Sequence, residues 1–374
     1  MIPFIDLKAQ YARIAEQVEN SVLDVMRGGT YILGPVVQRL EERLARFAGT
    51  RHCISCASGT DALVMSLMAK GVGPGDAVFT VPFTFMASAE AIATVGATPV
   101  FVDIEPGSFN MDPVALEAAI AAHDNEALRP RGVLAVDLFG LAADYQRINA
   151  IAARYDLFVI EDAAQSFGAS AQNKRAGALA EIGCTSFFPA KPLGCFGDGG
   201  AIFCDDSELD AVLRSIRVHG QGSDKYENVR MGITGRLDAM QAAVLEVKLD
   251  IFEDELAARQ RVAARYAAQI ADAALPLVIP QVPEGMTSAW AQYTVQAIDA
   301  AARAALQAKL AEAGVPTMIY YPKGLHEQLA FANLGYSHGD FPVSEDAADR
   351  VFSLPMHPYL EDTTIDRIVA AMAD

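Results

Sequence analysis

Two side chains of this 374-residue sequence stand where a buried acid and a buried amine would face a ligand. Asp162 directly follows the run Leu157–Glu161, which is predicted to be an inner strand. A carboxylate at the end of an inner strand needs a partner, because burying an unpaired charge is costly. The partner is either the helix that Asp162 would cap, which by itself is the better interpretation, or a cationic ring nitrogen.

Lys191 is the candidate amine. It lies between Pro189 and Pro192 in an apolar stretch that is followed by glycines at 194, 197, 199 and 200. A lone lysine is usually a solvated surface residue, but a glycine-rich stretch allows the backbone to approach a ligand closely. Desolvation would lower the pKa of the Lys191 amine and make it a better nucleophile towards a carbonyl.

Two further segments predict anion binding. Ser58-Gly59-Thr60 immediately precedes a predicted helix, whose first N–H groups and neighbouring hydroxyls would cradle a phosphate, although an ordinary N-cap has the same sequence. The segment 217–236 carries basic residues and glycines in an otherwise acidic chain, so it is either a loop that receives an anion or a solvated charged loop. Its possible cations are Arg217, His219, Lys225, Arg230 and Arg236.

Together these residues form a set in chain order: a phosphate cradle, a buried carboxylate and a desolvated lysine. Pyridoxal phosphate needs all three, because its phosphate must be anchored, its ring nitrogen kept protonated and its aldehyde brought to an amine. The combination therefore predicts pyridoxal phosphate as the cofactor.

Alternating short apolar runs and alanine-rich stretches are predicted to position this set. The predicted strands of the first part are Ala77–Val81, Pro99–Val102, Gly132–Leu138, Leu157–Glu161 and Ala201–Cys204, and helices fill the gaps. Strands that are apolar on both faces and separated by helices indicate an α/β fold with a mostly parallel sheet, whose ligand site lies beyond the carboxyl ends of its strands. After a long predicted helix at about 242–271, a strand at Gln292–Ile298, a helix at Ala300–Ala313 and a strand at Thr317–Tyr321 predict a smaller α+β unit.

Composition narrows the function classes. The formal net charge of −18 disfavours nucleic acid and anionic membranes as partners. No secretory signal and no apolar run of about 18 residues is found, so we expect a cytoplasmic enzyme. Five cysteines and no export signal make a disulfide framework improbable, and the isolated C-x-x-C at Cys53 and Cys56 is interpreted as two buried strand residues rather than a metal site.

Three spaced motifs resemble the nucleotide-sugar aminotransferases of the DegT/DnrJ/EryC1/StrS family. They are Glu161-Asp162-Ala163-Ala164-Gln165-Ser166, the segment from Ser186 to Gly200 around Lys191-Pro-Leu-Gly, and Gly235-Arg236-Leu237-Asp238-Ala239-Met240-Gln241-Ala242. The resemblance spans nearly the whole chain. It implies the type I aminotransferase fold, with a large seven-stranded, mostly parallel sheet domain at 1–245 and a smaller α+β C-terminal domain at 246–374. It also implies a homodimer with active sites at the subunit interface.

The resemblance also implies roles for individual residues. Lys191 matches the Schiff-base lysine, Asp162 the partner of the pyridine nitrogen, Gln165 a residue near the cofactor's O3′ hydroxyl and Phe85 an aromatic that stacks on the ring. The remaining cofactor contacts, all to the phosphate, are Ser58, Gly59, Thr60, Ser186 and Thr234. Thr234 replaces an Asn of many relatives, so its shorter side chain implies a weaker contact, which water can bridge.

For the substrate, the resemblance implies that a UDP-linked 2-acetamido-3-oxo-glucuronic acid is aminated at C3, with L-glutamate as donor and pyridoxamine phosphate as the alternate cofactor form. Such a reaction would serve surface polysaccharide (O-antigen, lipopolysaccharide) synthesis. The implied substrate contacts are Tyr31, Arg236, Tyr320 and His326. A core Tyr or a surface His would have the same sequence, so for the two tyrosines and the histidine that alternative stays open.

Several alternatives remain open. The motifs do not separate C3 amination from C4 amination of a 4-oxo-6-deoxy nucleotide sugar. A sugar dehydratase of the family would have His in place of Lys191, and a nicotinamide dehydrogenase would have G-x-G-x-x-G after its first strand, which is not found. A non-catalytic regulatory protein on the same fold is disfavoured, but not excluded, by an intact Lys191, Asp162 and Gln165.

Overall fold

A seven-stranded sheet forms the centre of the protein in a computed structural model, which describes residues 2–123, 127–224 and 226–373. The strand order is β1-β9-β8-β5-β4-β2-β3. Only β9 runs antiparallel to its neighbours, and the other pairs are parallel. The predicted α/β fold with a large, mostly parallel seven-stranded sheet is therefore confirmed.

The strands of this sheet are β1 (His52–Cys56), β2 (Asp76–Thr80), β3 (Thr98–Phe101), β4 (Arg129–Val136), β5 (Phe158–Asp162), β8 (Ile182–Ser186) and β9 (Gly200–Cys204). The helices up to and including the long one are α1 (Leu7–Gly28), α2 (Pro35–Ala48), α3 (Gly59–Ala69), α4 (Met86–Thr94), α5 (Pro113–Ala121), α6 (Tyr145–Arg154), α7 (Ser207–Ile216) and α8 (Ala239–Asp272).

Local sequence explains where the helices that flank the site begin. Ser58 caps α3, and its Oγ accepts a hydrogen bond from the N–H of Asp61 at 3.0 Å. Asp144 caps α6 in the same way. Because β2, β4, β5 and β8 are fully or mostly buried, their side chains form one core with the inner faces of the helices.

The C-terminal part contains a second, smaller sheet. Its order is β10-β12-β13, all antiparallel, formed by β10 (Leu277–Val278), β12 (Tyr293–Ala297) and β13 (Val351–Leu354). The helices α9 (Ala300–Glu312), α10 (Pro342–Arg350) and α11 (Asp362–Ala373) belong to this part. A third sheet joins β11 (Met286–Thr287) to β6 (Ser170–Ala171) and β7 (Lys174–Arg175).

The predicted domain boundary at 245 falls inside α8, which runs without a break from the large sheet towards the C-terminal sheet. The N-terminal helix α1 packs on α8, where Ile14 and Val18 contact Val244. The division into 1–245 and 246–374 stays a prediction.

Most predicted elements are found within a few residues, but one is wrong. The predicted strand at Thr317–Tyr321 makes only a single bridge, from Met318 to Ser353 of β13. The chain then leaves that sheet, and Tyr320 and Tyr321 line a cavity instead. The side chains of the segment are partly exposed, with Met318 at 47%, so its apolar, β-branched composition reflects neither full burial nor strand pairing.

The two cysteines of the C-x-x-C motif lie on β1, as predicted, and both are buried. Among the helices of the described ranges, none combines the length and the apolar character needed to cross a membrane.

Candidate active site

A cavity of about 460 Å³ opens at the carboxyl ends of the parallel strands. Asp162 ends β5 and Ser186 ends β8, and both side chains face this cavity. Lys191 reaches it from the loop between β8 and β9. The strand-end position expected for an α/β sheet thus brings the acid and the amine into one space.

Of the residues proposed from the sequence, those that line the cavity are Ser58, Gly59, Thr60, Phe85, Asp162, Gln165, Ser186, Lys191 and Tyr320. Their spread over more than 260 positions shows that the fold, rather than local sequence, assembles the site.

The loop that carries Lys191 is tightly folded. The N–H of Lys191 donates to the carbonyl oxygen of Phe188 at 2.9 Å, and the N–H of Cys195 donates to that of Phe187 at 2.7 Å. A side chain at Gly194 would place its Cβ 2.5 Å from the carbonyl oxygen of Pro189. Gly194 therefore lets the loop close on itself, which holds Lys191 in the cavity. A close approach of this backbone to a ligand stays a prediction.

Lys191 and Asp162 perturb each other. Desolvation lowers the pKa of the Lys191 amine, and the negative charge of Asp162 partly opposes this effect. Desolvation likewise raises the pKa of Asp162, opposed by a hydrogen bond from Ser88 and by the charge of Lys191. A lysine with a lowered pKa close to a buried carboxyl is an arrangement typical of active sites.

The carboxylate of Asp162 is held by two donors. The Oγ of Ser88 donates to Oδ2 at 2.9 Å, and the N–H of Ala164 donates to Oδ1 at 3.2 Å. Asp162 does not cap a helix, since the residues after it form a turn. The two donors are neutral groups, so the protein supplies Asp162 with hydrogen bonds but not with a helix N-terminus or a cationic hydrogen-bond partner among the described residues.

Gln165 and Tyr321 close the wall beside Asp162. The side-chain oxygen of Gln165 accepts from the N–H of Phe139 at 2.8 Å, and its amide nitrogen donates to the hydroxyl of Tyr321 at 3.3 Å. The ring of Tyr321 lies 6.3 Å from that of Phe85, which is 55% exposed at the mouth of the cavity. The peptide bond between Tyr320 and Tyr321 is cis.

The cradle at the start of α3 is closely packed. A Cβ at Gly59 would lie 2.6 Å from the Cβ of Ser186, and a Cβ at Gly200 would lie 2.4 Å from the carbonyl oxygen of Ser58. Glycines at both positions therefore bring the start of α3 against the end of β8 and the start of β9. The first N–H groups of a helix have no partner within it and carry partial positive charge, so this corner of the cavity favours an anion.

Four proposed residues do not line the cavity in the described part of this chain. Thr234 pairs through its hydroxyl with Nε2 of His219 at 2.8 Å. Tyr31 is 49% exposed, and its hydroxyl donates to the carbonyl oxygen of Met26. Arg236 is partly buried, with no hydrogen bond to its Nε. Their roles stay predictions.

His326, the fourth of these residues, is only 2% exposed. Its Nε2 lies 3.0 Å from the carboxylate of Glu345, and its ring packs against Phe341. The alternative of a surface histidine is therefore wrong, because the ring is buried. A role in contacting substrate stays a prediction.

The basic residues of segment 217–236, which was predicted to receive an anion, do not all have the same environment. Arg217 is buried and donates to the carboxylate of Glu41 at 2.5 Å, so it is not available to a ligand. Arg230 is exposed, and Lys225 lies outside the described residues. A long-range ion pair of this kind leaves no signal in the local sequence.

Sequence reasoning missed Thr84, Ser88 and Gln292, which also line the cavity. Tyr321 lines it too, and the family resemblance of Tyr320-Tyr321-Pro322 to a motif at the site entrance implied that position. Thr84 follows β2, so the strand-end rule that identified Asp162 would have found it. Ser88 lies four residues further, in the first turn of α4, and its hydroxyl is 3.2 Å from that of Thr84. Gln292 comes from the C-terminal part, and no local signal distinguishes it.

Comparison with known proteins agrees with this geometry. The chain is 49% identical, over the full length of both, to the UDP-2-acetamido-2-deoxy-3-oxo-D-glucuronate aminotransferase of Pseudomonas aeruginosa. A DegT DnrJ EryC1 StrS aminotransferase from Brucella abortus superposes with a TM-score of 0.95 at 50% identity, covering 100% of this chain and 98% of the other.

A Bacillus subtilis protein crystallised with bound cofactor PMP superposes with a TM-score of 0.89 at 30% identity, covering 99% of this chain and 82% of the other. The model of the DegT/DnrJ/EryC1/StrS aminotransferase family matches residues 12–373. With the sequence, the fold and the cavity in agreement, the chain belongs to the DegT/DnrJ/EryC1/StrS aminotransferase family.

Proposed function

We propose that this protein uses pyridoxal phosphate to transfer an amino group from L-glutamate to C3 of UDP-2-acetamido-2-deoxy-3-oxo-glucuronic acid. The observation that carries the proposal is the shared cavity of Lys191 and Asp162, an amine of lowered pKa beside a buried carboxyl. The sugar and the carbon rest on the Pseudomonas aeruginosa relative, which is named for that substrate.

The residues present fit this cofactor. The phosphate would lie at the N-terminus of α3, where the packing around Gly59 and Gly200 has no space for a side chain at either position. The hydroxyl-bearing residues Ser58, Thr60 and Ser186 line the same part of the cavity. Asp162, which lacks a cationic hydrogen-bond partner among the described residues, would meet a protonated ring nitrogen. Phe85 offers an exposed aromatic face at the mouth for stacking.

When bound, pyridoxal phosphate supplies an electron-accepting ring that takes up the charge left when a proton leaves the donor's α-carbon. The protein's part is to move that proton and to stabilise the charge. With its pKa lowered by desolvation, the Nζ of Lys191 is available as a base that accepts the proton and later returns it. Asp162, held in place by two hydrogen bonds, presents its negative charge where the ring nitrogen needs it.

We further propose a homodimer that acts in the cytoplasm. Thr234, Arg236 and Tyr31, which the family resemblance associates with the site, lie outside the cavity of the single chain. The same region exposes large apolar side chains, including Ile32 at 47% and Met231 at 84%. Exposed apolar side chains beside site residues that lie outside this chain's own cavity favour a second copy of this chain as their partner.

The direct test offers purified protein L-glutamate with either the 3-oxo-glucuronic acid nucleotide or a 4-oxo-6-deoxy nucleotide sugar, and identifies products by mass spectrometry and NMR. We expect a 3-amino sugar from the first compound and little product from the second. Amination of the 4-oxo sugar alone would contradict the proposed substrate.

The 3-amino sugar nucleotide made by the proposed reaction would supply amino sugars for a surface polysaccharide such as O-antigen of lipopolysaccharide.

The role of Lys191 is tested with Lys191→Met. Turnover should fall by at least about 10²- to 10⁴-fold, the contribution of a positioned acid–base group, and the visible absorbance of bound cofactor should shift. Lys248→Met is the matched control. Lys248 is a buried lysine whose pKa burial likewise lowers, to about 8, but it does not line the cavity. Equal losses in both variants would remove the assignment of Lys191.

A further inference from the structure

Two buried hydroxyls stand behind Asp162. Ser88 on α4 is 1% exposed, and Thr84, four residues earlier, is 2% exposed. The Oγ of Ser88 lies 2.9 Å from Oδ2 of Asp162, and the Oγ1 of Thr84 lies 3.2 Å from the Oγ of Ser88. The three groups form a short chain that ends on the carboxylate.

The charge of Asp162 sets the direction of this chain. An ionised carboxylate only accepts hydrogen bonds, so the single proton of Ser88 must be donated to it. The Oγ of Ser88 is then free to accept the proton of Thr84, which polarises Ser88 and strengthens its bond to Asp162. Both hydroxyls therefore favour the ionised carboxylate over the neutral acid.

Ser88 and Lys191 both favour the ionised form of Asp162. Burial raises the pKa of Asp162 and so favours its neutral form, and the hydrogen bond from Ser88 opposes this more strongly than the charge of Lys191 does. The contribution of Lys191 is lost whenever its own amine is neutral, which its lowered pKa favours. The hydrogen bond from Ser88 does not depend on that protonation state.

We propose that Ser88, supported by Thr84, is a positioning residue that keeps Asp162 an oriented carboxylate for the protonated ring nitrogen of pyridoxal phosphate. This inference rests on the proposed function, because it requires that cofactor in the cavity. It assigns Ser88 no contact with the substrate.

The test titrates full-length protein, freed of cofactor, with pyridoxal phosphate and with the analogue whose ring nitrogen is replaced by carbon. Ser88→Ala should weaken binding of pyridoxal phosphate about tenfold, as expected for a hydrogen bond to a charged group, and leave binding of the analogue nearly unchanged. Thr84→Val, which keeps the side-chain shape, should weaken pyridoxal phosphate binding about threefold. In an Asp162→Asn background, Ser88→Ala should have little further effect.

Ser353→Ala is the matched control. Ser353 and Thr294 form another buried hydroxyl pair, 2.8 Å apart, in the C-terminal sheet and away from any carboxylate of the cavity. Ser353→Ala should leave the affinities for pyridoxal phosphate and for the analogue unchanged, so it reports any general effect of removing a buried hydroxyl.

Equal weakening of both ligands by Ser88→Ala, or no weakening of either, would overturn the inference and leave the proposed function intact. If Ser88→Ala does not fold, Thr84→Val decides by the same comparison of the two ligands. Failure of the wild-type protein to bind pyridoxal phosphate would overturn both the inference and the proposed function.

Discussion

Replacing Gly59 by alanine should damage the anion-binding corner of the cavity specifically. The added Cβ would lie 2.6 Å from the Cβ of Ser186 and 3.2 Å from its Cα. Ordinary carbon–carbon contacts are at about 3.5–4.0 Å, so the start of α3 and the end of β8 must separate by about 1 Å. Because the backbone of β8 sets the positions of both Cα and Cβ of Ser186, a change of side-chain rotamer does not remove the conflict.

Overpacking of this kind costs about 1–3 kcal/mol in other cores. At Gly59 part of this cost should appear as lost phosphate binding, since the N–H groups of α3 move away from the anion. A loss of about 1.4 kcal/mol corresponds to tenfold weaker binding. We therefore expect Gly59→Ala to bind pyridoxal phosphate about tenfold or more weakly than wild type.

Comparing pyridoxal phosphate with pyridoxal, which has no phosphate, isolates this effect. The affinity ratio of the two ligands, measured by absorbance titration, should fall about tenfold in Gly59→Ala. Gly73→Ala is the matched control, because the nearest atom to its Cβ would be the carbonyl oxygen of Val95, at 3.9 Å. An unchanged ratio in Gly59→Ala would refute the reasoning, since the phosphate would then lie elsewhere.

Two further predictions concern pH and assembly. Burial raises the pKa of Asp137 to about 7, so its ionisation opposes folding and the free energy of unfolding should fall as pH rises from about 4 to about 7. In Asp137→Asn, which has no charge to bury, the free energy of unfolding measured by urea denaturation at pH 5, 6, 7 and 8 should fall less steeply with pH. Parallel pH profiles of the variant and the wild type would contradict the assignment to Asp137. Met231 is 84% exposed, and we assign it to the proposed dimer interface. The charge in Met231→Asp should therefore shift the sedimenting species from dimer to monomer, and an unchanged dimer would place the interface elsewhere.

The sequence predicted the features that a short run of neighbouring residues encodes. Apolar runs located β2, β3, β4, β5 and β9 to within a few residues, because a strand buried on both faces has no other composition. It did not separate the strand β8 from its surroundings, and it assigned a strand to Thr317–Tyr321, where the chain lines the cavity instead. A partly exposed cavity wall and a strand can share an apolar, β-branched composition over a few residues.

The sequence by itself determined that an acid ends a buried strand at Asp162 and that an amine lies in an apolar, glycine-rich stretch at Lys191. Both follow from local chemistry, in which apolar neighbours and glycines fix burial and backbone path. Only the tertiary structure decided that Ser88, 74 positions before Asp162, holds its carboxylate, and that Arg217 is buried against Glu41, 176 positions away. Such hydrogen bonds depend on how the sheet brings distant segments together, and no periodicity or spacing in the chain records that packing.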